Sequence, residues 1–266
     1  MHLWLPEAHV EAPTIGSIIL ASILLKLGGY GIIRFLIPIF PESTLFFRPL
    51  VLILCLLGTI YGAIYAFLQT DMKKIVAYSS VSHMNFAVLG LFSLTVEGTL
   101  GALLLFLGHG FSSAALFQLI GSFYKRFHTR LIDYYGGIVF VMPIQIFFLF
   151  FFSFANIGFP GTLNFVSELY VFYSVLAGTN YSILIFFFIS ISFLAGVVYS
   201  IWTFNKIAFG SFTKYLDTVR DLSFIEFLTL FSLAYFTLFF GFFSQVLIDG
   251  LYYDIVLLMQ PYSISH

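Results

Sequence analysis

Four side chains that take up and release protons sit deep in apolar stretches: Lys26, His83, His109 and Glu168. Lys26 lies between Ser22-Ile23-Leu24-Leu25 and Leu27-Gly28-Gly29-Tyr30-Gly31 with no counter-charge beside it, about 20 Å into a helix that starts near Pro13. A lysine at the centre of a membrane span costs about 2.5–3.5 kcal/mol, so it is expected to face a bundle interior. The alternative, snorkelling to the interface, reaches poorly from this depth. His83, in Ser82-His83-Met84, lies about 12 Å into its helix, and His109, in Gly108-His109-Gly110, about 16 Å into the next. Histidine changes charge near neutral pH, which suits a relay; one histidine alone could equally be a neutral core residue bonded to a carbonyl. Glu168 comes seven residues after Gly161, just past Gly158-Phe159-Pro160-Gly161. A carboxylate beside irregular backbone at depth is hard to explain as packing. Together the four groups read as a lateral proton relay across neighbouring helices.

The elements that must hold these residues are membrane spans. Of the 266 residues 61% are hydrophobic and 9% charged, and the mean hydropathy is +1.04. A soluble domain carries about 25% charged residues, and a span needs about 20 apolar residues, so the expected class is all-α integral membrane with about seven transmembrane helices in one domain over 1–266. The net charge of −1 offers no patch for nucleic acid, and the lone Cys55 has no partner for a disulfide or a metal motif. No metal, cluster or other cofactor is expected in this chain. The segment from Met1 to Glu7 lacks the pattern of a secretory signal.

Apolar runs predict helices over 13–36, 49–68, 75–94, 98–123, 183–204 and 224–247. Between Gly136 and Gly178 the chain stays apolar for a length that, as one helix, would be roughly 65 Å, twice the bilayer core. It must break, and residues 158–164 are the place. The break permits two full spans or one discontinuous crossing, and loop charge separates them. With one crossing, Lys73, Lys74, Lys125, Arg126, Arg130, Lys206, Lys214 and Arg220 share one side against Arg34 and Arg48, 8 to 2; with two, the count is 5 to 5. The positive-inside bias selects the single crossing. Irregular backbone at depth survives where it is buried in protein or lines a wet cavity, which points to a transport path, although a Pro kink without function is the plainer alternative. Gly28, Gly29, Gly31, Gly108 and Gly110 would let helices approach closely or admit water. The charges of Asp71-Met72-Lys73-Lys74 and Lys125-Arg126-Phe127-His128-Thr129-Arg130 are explained by topology and partner contact.

Three motifs carry a resemblance: His2-Leu3-Trp4-Leu5-Pro6-Glu7-Ala8-His9-Val10-Glu11-Ala12-Pro13, Leu24-Leu25-Lys26-Leu27-Gly28-Gly29-Tyr30-Gly31, and Gln69 through Met84. With Gly108 through Phe117 and His128-Thr129-Arg130, they resemble the antiporter-like chain 4 family of respiratory complex I, NADH-ubiquinone oxidoreductase; the likeness weakens after about residue 205. The resemblance implies helices 8–14 of a fourteen-helix fold of two inverted repeats, with the broken stretch standing for the discontinuous twelfth helix. It implies that Lys26 is the central relay lysine, His83 and His109 linking groups, and Glu168 the distal residue near the exit path. It further implies proton translocation coupled to ubiquinone reduction, other complex I membrane-arm subunits as partners, and the mitochondrial inner membrane or a bacterial plasma membrane as location. The family's first repeat, with its own mid-membrane Glu and Lys, is expected on a separate polypeptide packed against the 13–36 helix. The rival readings are a subunit of a related sodium/proton antiporter and a non-conducting membrane scaffold.

Overall fold

The computed structural model describes residues 4–178, 182–210 and 220–263; apart from one isolated bridge between Asp71 and Leu131, their regular structure is helical. In chain order the helices are α1 (Trp4–Glu11), α2 (Thr14–Ile39), α3 (Pro41–Leu68), α4 (Met72–Leu91) and α5 (Val96–Phe127). They continue with α6 (Pro143–Ile157), α7 (Leu163–Gly178), α8 (Ser182–Ala208), α9 (Phe224–Phe242) and α10 (Gln245–Ser263).

The bundle is built around α5. Of its most apolar window 78% is buried, against 17% for α2 and for α9, so α5 is wrapped by protein while α2 and α9 lie at the edge. Burial lets α4 cross despite Ser79, Ser80, Ser82, His83 and Asn85, because its neighbours are helices rather than lipid. At one end the Met72 amide donates to Arg130 O at 3.0 Å, and at the other Gly90 packs on the Gly98 carbonyl of α5.

α6 and α7 together make one crossing. With 15 and 16 residues they are about 22 and 24 Å long, so neither alone covers roughly 30 Å of hydrocarbon. Their contacts run antiparallel along α5: Gln145 meets Leu119 and Ser122, Asn164 meets Ser112 and Gly108, and Ser174 meets Gly98. The break occupies residues 158–162. Gly158, at φ +80, ends α6 in the left-handed region, where the Gly158 amide donates to Ala155 O and the Phe159 amide to Phe154 O. Pro160 has no amide to continue the ladder, and Gly161 is again left-handed at φ +96.

Seven described cations gather at one end, among them Lys73 and Lys74 in the first turn of α4, whose Met72 amide bonds Arg130 O. Arg130 lies beside Asp71, Lys206 beside Asp133, Lys125 and Arg126 beside Glu226, and Arg126 also donates to Arg220 O. Arg48 is at the opposite end, donating to Phe92 O and Ser93 O. Lys214 lies outside the described residues. The charge asymmetry therefore follows the single-crossing topology.

Several boundaries depart from the sequence expectations. α3 begins at Pro41, not 49: Thr44 Oγ1 donates to Pro41 O, and the helix carries Pro49 in its interior. The last span stops at Phe242 rather than 247, and a further helix, α10, follows a turn at Phe243–Ser244. Ile248, Ile255, Met259 and Tyr262 repeat at helical spacing and bury one face of α10 against Leu100, Leu104 and Leu163. Tyr262 donates to Ile37 O at 2.8 Å, which puts the end of α10 at the face opposite the cations.

Candidate functional site

The four titratable residues come from four crossings. Lys26 stands on α2 between two π-helical stretches, Leu20–Leu24 and Ile32–Leu36, features that the sequence reading did not anticipate. A π turn loosens the i→i−4 ladder and is often found at functional positions. The Lys26 ammonium uses it, donating to Ala21 O. Its alkyl end approaches α5 beside Gly110, where an added Cβ would lie 3.8 Å from Cε.

His83 and His109 meet edge to face, with ring centroids 5.4 Å apart and planes at 81°. His83 Nδ1 then lies 3.6 Å from Glu168 Oε1. That is beyond the roughly 2.7–3.2 Å of a direct hydrogen bond, a gap that one water or a shift of about half an ångström would close. The spatial order is therefore not the sequence order: Glu168 adjoins His83, and His109 sits on the helix that Lys26 touches.

The break holds the carboxylate. A Cβ on Gly158 would collide with Glu168 Oε2, so the absence of a side chain there lets the carboxylate rest on the backbone of the break. Glu168 and His109 are 4% and 0% exposed. Glu168 Oε1 and both His109 nitrogens find no hydrogen-bond partner among the described residues. Buried orphans of this kind are rare, because each forgoes about 1–3 kcal/mol of solvation, and they mark sites that hold water or exchange protons.

Three polar residues absent from the sequence reading complete the surroundings. Asn164 Nδ2 donates to Ala155 O at 2.8 Å, a second donor to the carbonyl that also accepts from the Gly158 amide, and reaches Ser112 Oγ at 3.4 Å. Asn156, two residues before Gly158, sends Nδ2 to the Tyr199 hydroxyl at 3.4 Å. The two asparagines flank the break closely enough for the sequence to have flagged them; Tyr199, one of 16 tyrosines, carried no such mark. Of the glycines near the relay, Gly29 meets Phe106 and Gly108 meets Asn164 Oδ1, whereas Gly28 and Gly31 face open space. Close approach thus explains some of that glycine cluster but not Gly28 or Gly31.

Comparison with known proteins adds lineage to this geometry. Residues 1–195 match the family described as NADH:quinone oxidoreductase/Mrp antiporter, TM. NADH-ubiquinone oxidoreductase chain 4 of Chondrus crispus is 46% identical over 266 residues, which is 100% of this chain and 53% of the relative. The Acanthamoeba castellanii protein of the same name is 46% identical over 241 residues, covering 90% of this chain and 48% of that one. The chain thus spans about half the length of these curated relatives. Among solved structures, a chain of respiratory complex I from Thermus thermophilus with bound NADH superposes with a TM-score of 0.89 at 30% identity, covering 97% of this chain and 54% of that chain. A chain of the Mrp complex from Dietzia shares the fold, with a TM-score of 0.86 at 17% identity.

Proposed function

Since this chain belongs to the NADH:quinone oxidoreductase/Mrp antiporter membrane family, we propose that it is a proton-translocating, antiporter-like membrane-arm subunit of a respiratory NADH:ubiquinone oxidoreductase, multi-pass in the mitochondrial inner membrane. The names of its relatives from red alga and amoeba support the assignment. The observation that carries it is the contact of His83 with both Glu168 at 3.6 Å and the His109 ring at 5.4 Å, beside a helix break.

Lys26 stores or repels a charge at one end of the row, the two histidines pass a proton between helices, and Glu168 accepts it at the break. Each buried group is costly as a lone charge, so a proton that arrives at one favours a compensating move at its neighbour. That coupling makes the row responsive to a field change produced by quinone reduction elsewhere in the assembly. The chain itself supplies proton carriers and binds no redox centre in this reading.

Its partners are the other membrane-arm subunits, and the half of the fold that its relatives carry beyond the matched region packs against this one. The face of α2 that bears Ile15, Ile19, Ile23 and Leu27 is exposed, and we place that half there, continuing the charged row beyond Lys26. The test is Lys26→Ala in the assembled complex: protons pumped per NADH should fall severalfold while NADH oxidation and assembly persist. Unchanged pumping per NADH would remove Lys26 from the mechanism and favour a scaffold.

A further inference from the structure

Lys73, in the first turn of α4, is 4% exposed and forms no ion pair among the described residues. Loop topology alone would leave such a lysine in water. A buried ammonium is costly unless its three donors are taken, and all three are. Nζ donates to Ala12 O at 2.8 Å, to Ser17 Oγ at 3.2 Å and to His9 O at 3.3 Å. The sequence explains why the His9 carbonyl is free. It would ordinarily accept from the amide four residues on, but that residue is Pro13, which has none. Lys73 replaces the missing donor together with the Ser17 hydroxyl, which donates to His9 O at 2.8 Å. A cation there also complements the partial negative charge at the C-terminal end of α1.

These bonds join three helices at one corner. α1 is held further by the His9 ring, stacked on Phe117 of α5 at 4.8 Å, and by Arg130, which donates to Val10 O at 2.8 Å. Ser17 belongs to the first turn of α2. Because α2 and α4 both start at the cation-rich end and run the same way, a tie between their first turns sets their relative height. Lys26 comes nine residues after Ser17, roughly 14 Å along α2, and His83 ten residues after Lys73, roughly 15 Å along α4. The tie therefore brings Lys26 to the level of the histidines. Little else fixes that height: α2 lies at the edge of the bundle, π stretches loosen its middle, and contacts such as Phe106 on Gly29 are apolar and not directional. Among the described residues, the next hydrogen bond from another helix to α2 is Tyr262 on Ile37 O, beyond the second π stretch.

We propose that Lys73 is a positioning residue for proton transfer, whose ammonium clamps the corner between α1 and α2 to the head of α4 and so holds Lys26 level with His83 and His109. Lys73 carries no proton of the relay itself. A slip of α2 by one residue is about 1.5 Å, and a misplacement of about 1 Å is enough to spoil an aligned transfer.

The inference rests on the relay reading of Lys26, and the test separates the two. In vesicles containing the assembled complex, protons pumped per NADH are compared for four variants: Lys73→Met, which keeps an unbranched stem without donors, Lys73→Arg, which keeps charge and donors, Lys26→Ala, and Lys26→Ala combined with Lys73→Met. Lys73→Met should lower pumping severalfold with NADH oxidation retained, and Lys73→Arg should restore most of it. In the Lys26→Ala background, Lys73→Met should take nothing further, since no ammonium is left to place. A purely structural role would add its loss in both backgrounds, so a further loss in the double variant overturns the clamp. So does a Lys73→Arg that pumps no better than Lys73→Met. Normal pumping in Lys73→Met beside a loss in Lys26→Ala overturns the clamp and leaves the relay standing; normal pumping in Lys26→Ala overturns both. Should Lys73→Met fail to assemble, Ser17→Ala decides: it removes one acceptor of Lys73 and one donor to His9 O, and should show a smaller loss that likewise vanishes in the Lys26→Ala background. No loss in Ser17→Ala, or one that persists there, overturns the clamp.

Discussion

Gly158→Ala should disable the relay without touching any of its titratable groups, and Gly161→Ala supplies a matched control. Both glycines are left-handed, at φ +80 and +96, so an alanine at either costs about 1–2 kcal/mol of backbone strain. They differ in what a methyl group meets. At Gly161 the nearest atom is the far end of the Phe242 ring at 3.3 Å, and that ring can give. At Gly158 the methyl lands on Glu168, with the carboxyl carbon at 2.9 Å, Oε1 at 3.3 Å and Oε2 closer still. To restore contact distances of about 3.5 Å the carboxylate must retreat by roughly 1 Å, away from its present 3.6 Å separation from His83 Nδ1. A misplacement of about 1 Å costs on the order of a hundredfold where groups must be held in line for transfer. The assay is proton pumping per NADH in vesicles, normalised to complex assembled on native gels. Both variants should show similar modest losses of assembly, and only Gly158→Ala should lose most of its pumping. Equal pumping in the two would mean that the position of Glu168 over the break is irrelevant to its role.

Asn164→Ala removes the side-chain bond that ties the start of α7 to the Ala155 carbonyl, a net loss of about 0.5–1.5 kcal/mol because the Gly158 amide still satisfies that oxygen, and should slightly lower the thermal midpoint of the detergent-solubilised protein; an unchanged midpoint would show that this bond does not help to hold α6 and α7 together. His9, on α1 outside the membrane-spanning helices, is held at about 4 by burial first, then by Lys73 and Lys26. Its unfolded form binds a proton below about 6.5, so stability is complete above that pH and is lost as pH falls towards 4. His9→Phe keeps the stacking on Phe117 and should flatten the unfolding curve between those limits; an unaltered acid slope would place the sensitivity elsewhere. Arg126→Ala removes contacts to Glu226, Asp221 and Ser122, and should loosen α9 at the cation-rich end, read as faster proteolysis of the segment before Phe224.

What the sequence determined by itself was set by local rules. Hydrocarbon thickness and the distribution of lysine and arginine fixed the number of crossings and which loops share an end of the bundle, because insertion cost depends on each segment almost independently of its neighbours. The break at 158–162 was equally legible, since Gly-Phe-Pro-Gly cannot continue a helix whatever surrounds it. Depth along each helix, a matter of 1.5 Å per residue, placed Lys26, His83, His109 and Glu168 near one level. Tertiary structure alone decided which of them touch. Rotation about a helix axis is fixed by packing, so His83 rather than His109 faces Glu168, and no spacing in the chain encodes that choice. The same holds for the π turns around Lys26 and for the amphipathic α10, whose apolar stripe has meaning only against Leu100 and Leu104. Asn156 and Tyr199 lie 43 residues apart and meet only because α6 and α8 pack side by side. A buried polar site is made of surfaces contributed by several helices at once, and a linear sequence lists those surfaces without saying which ones face each other.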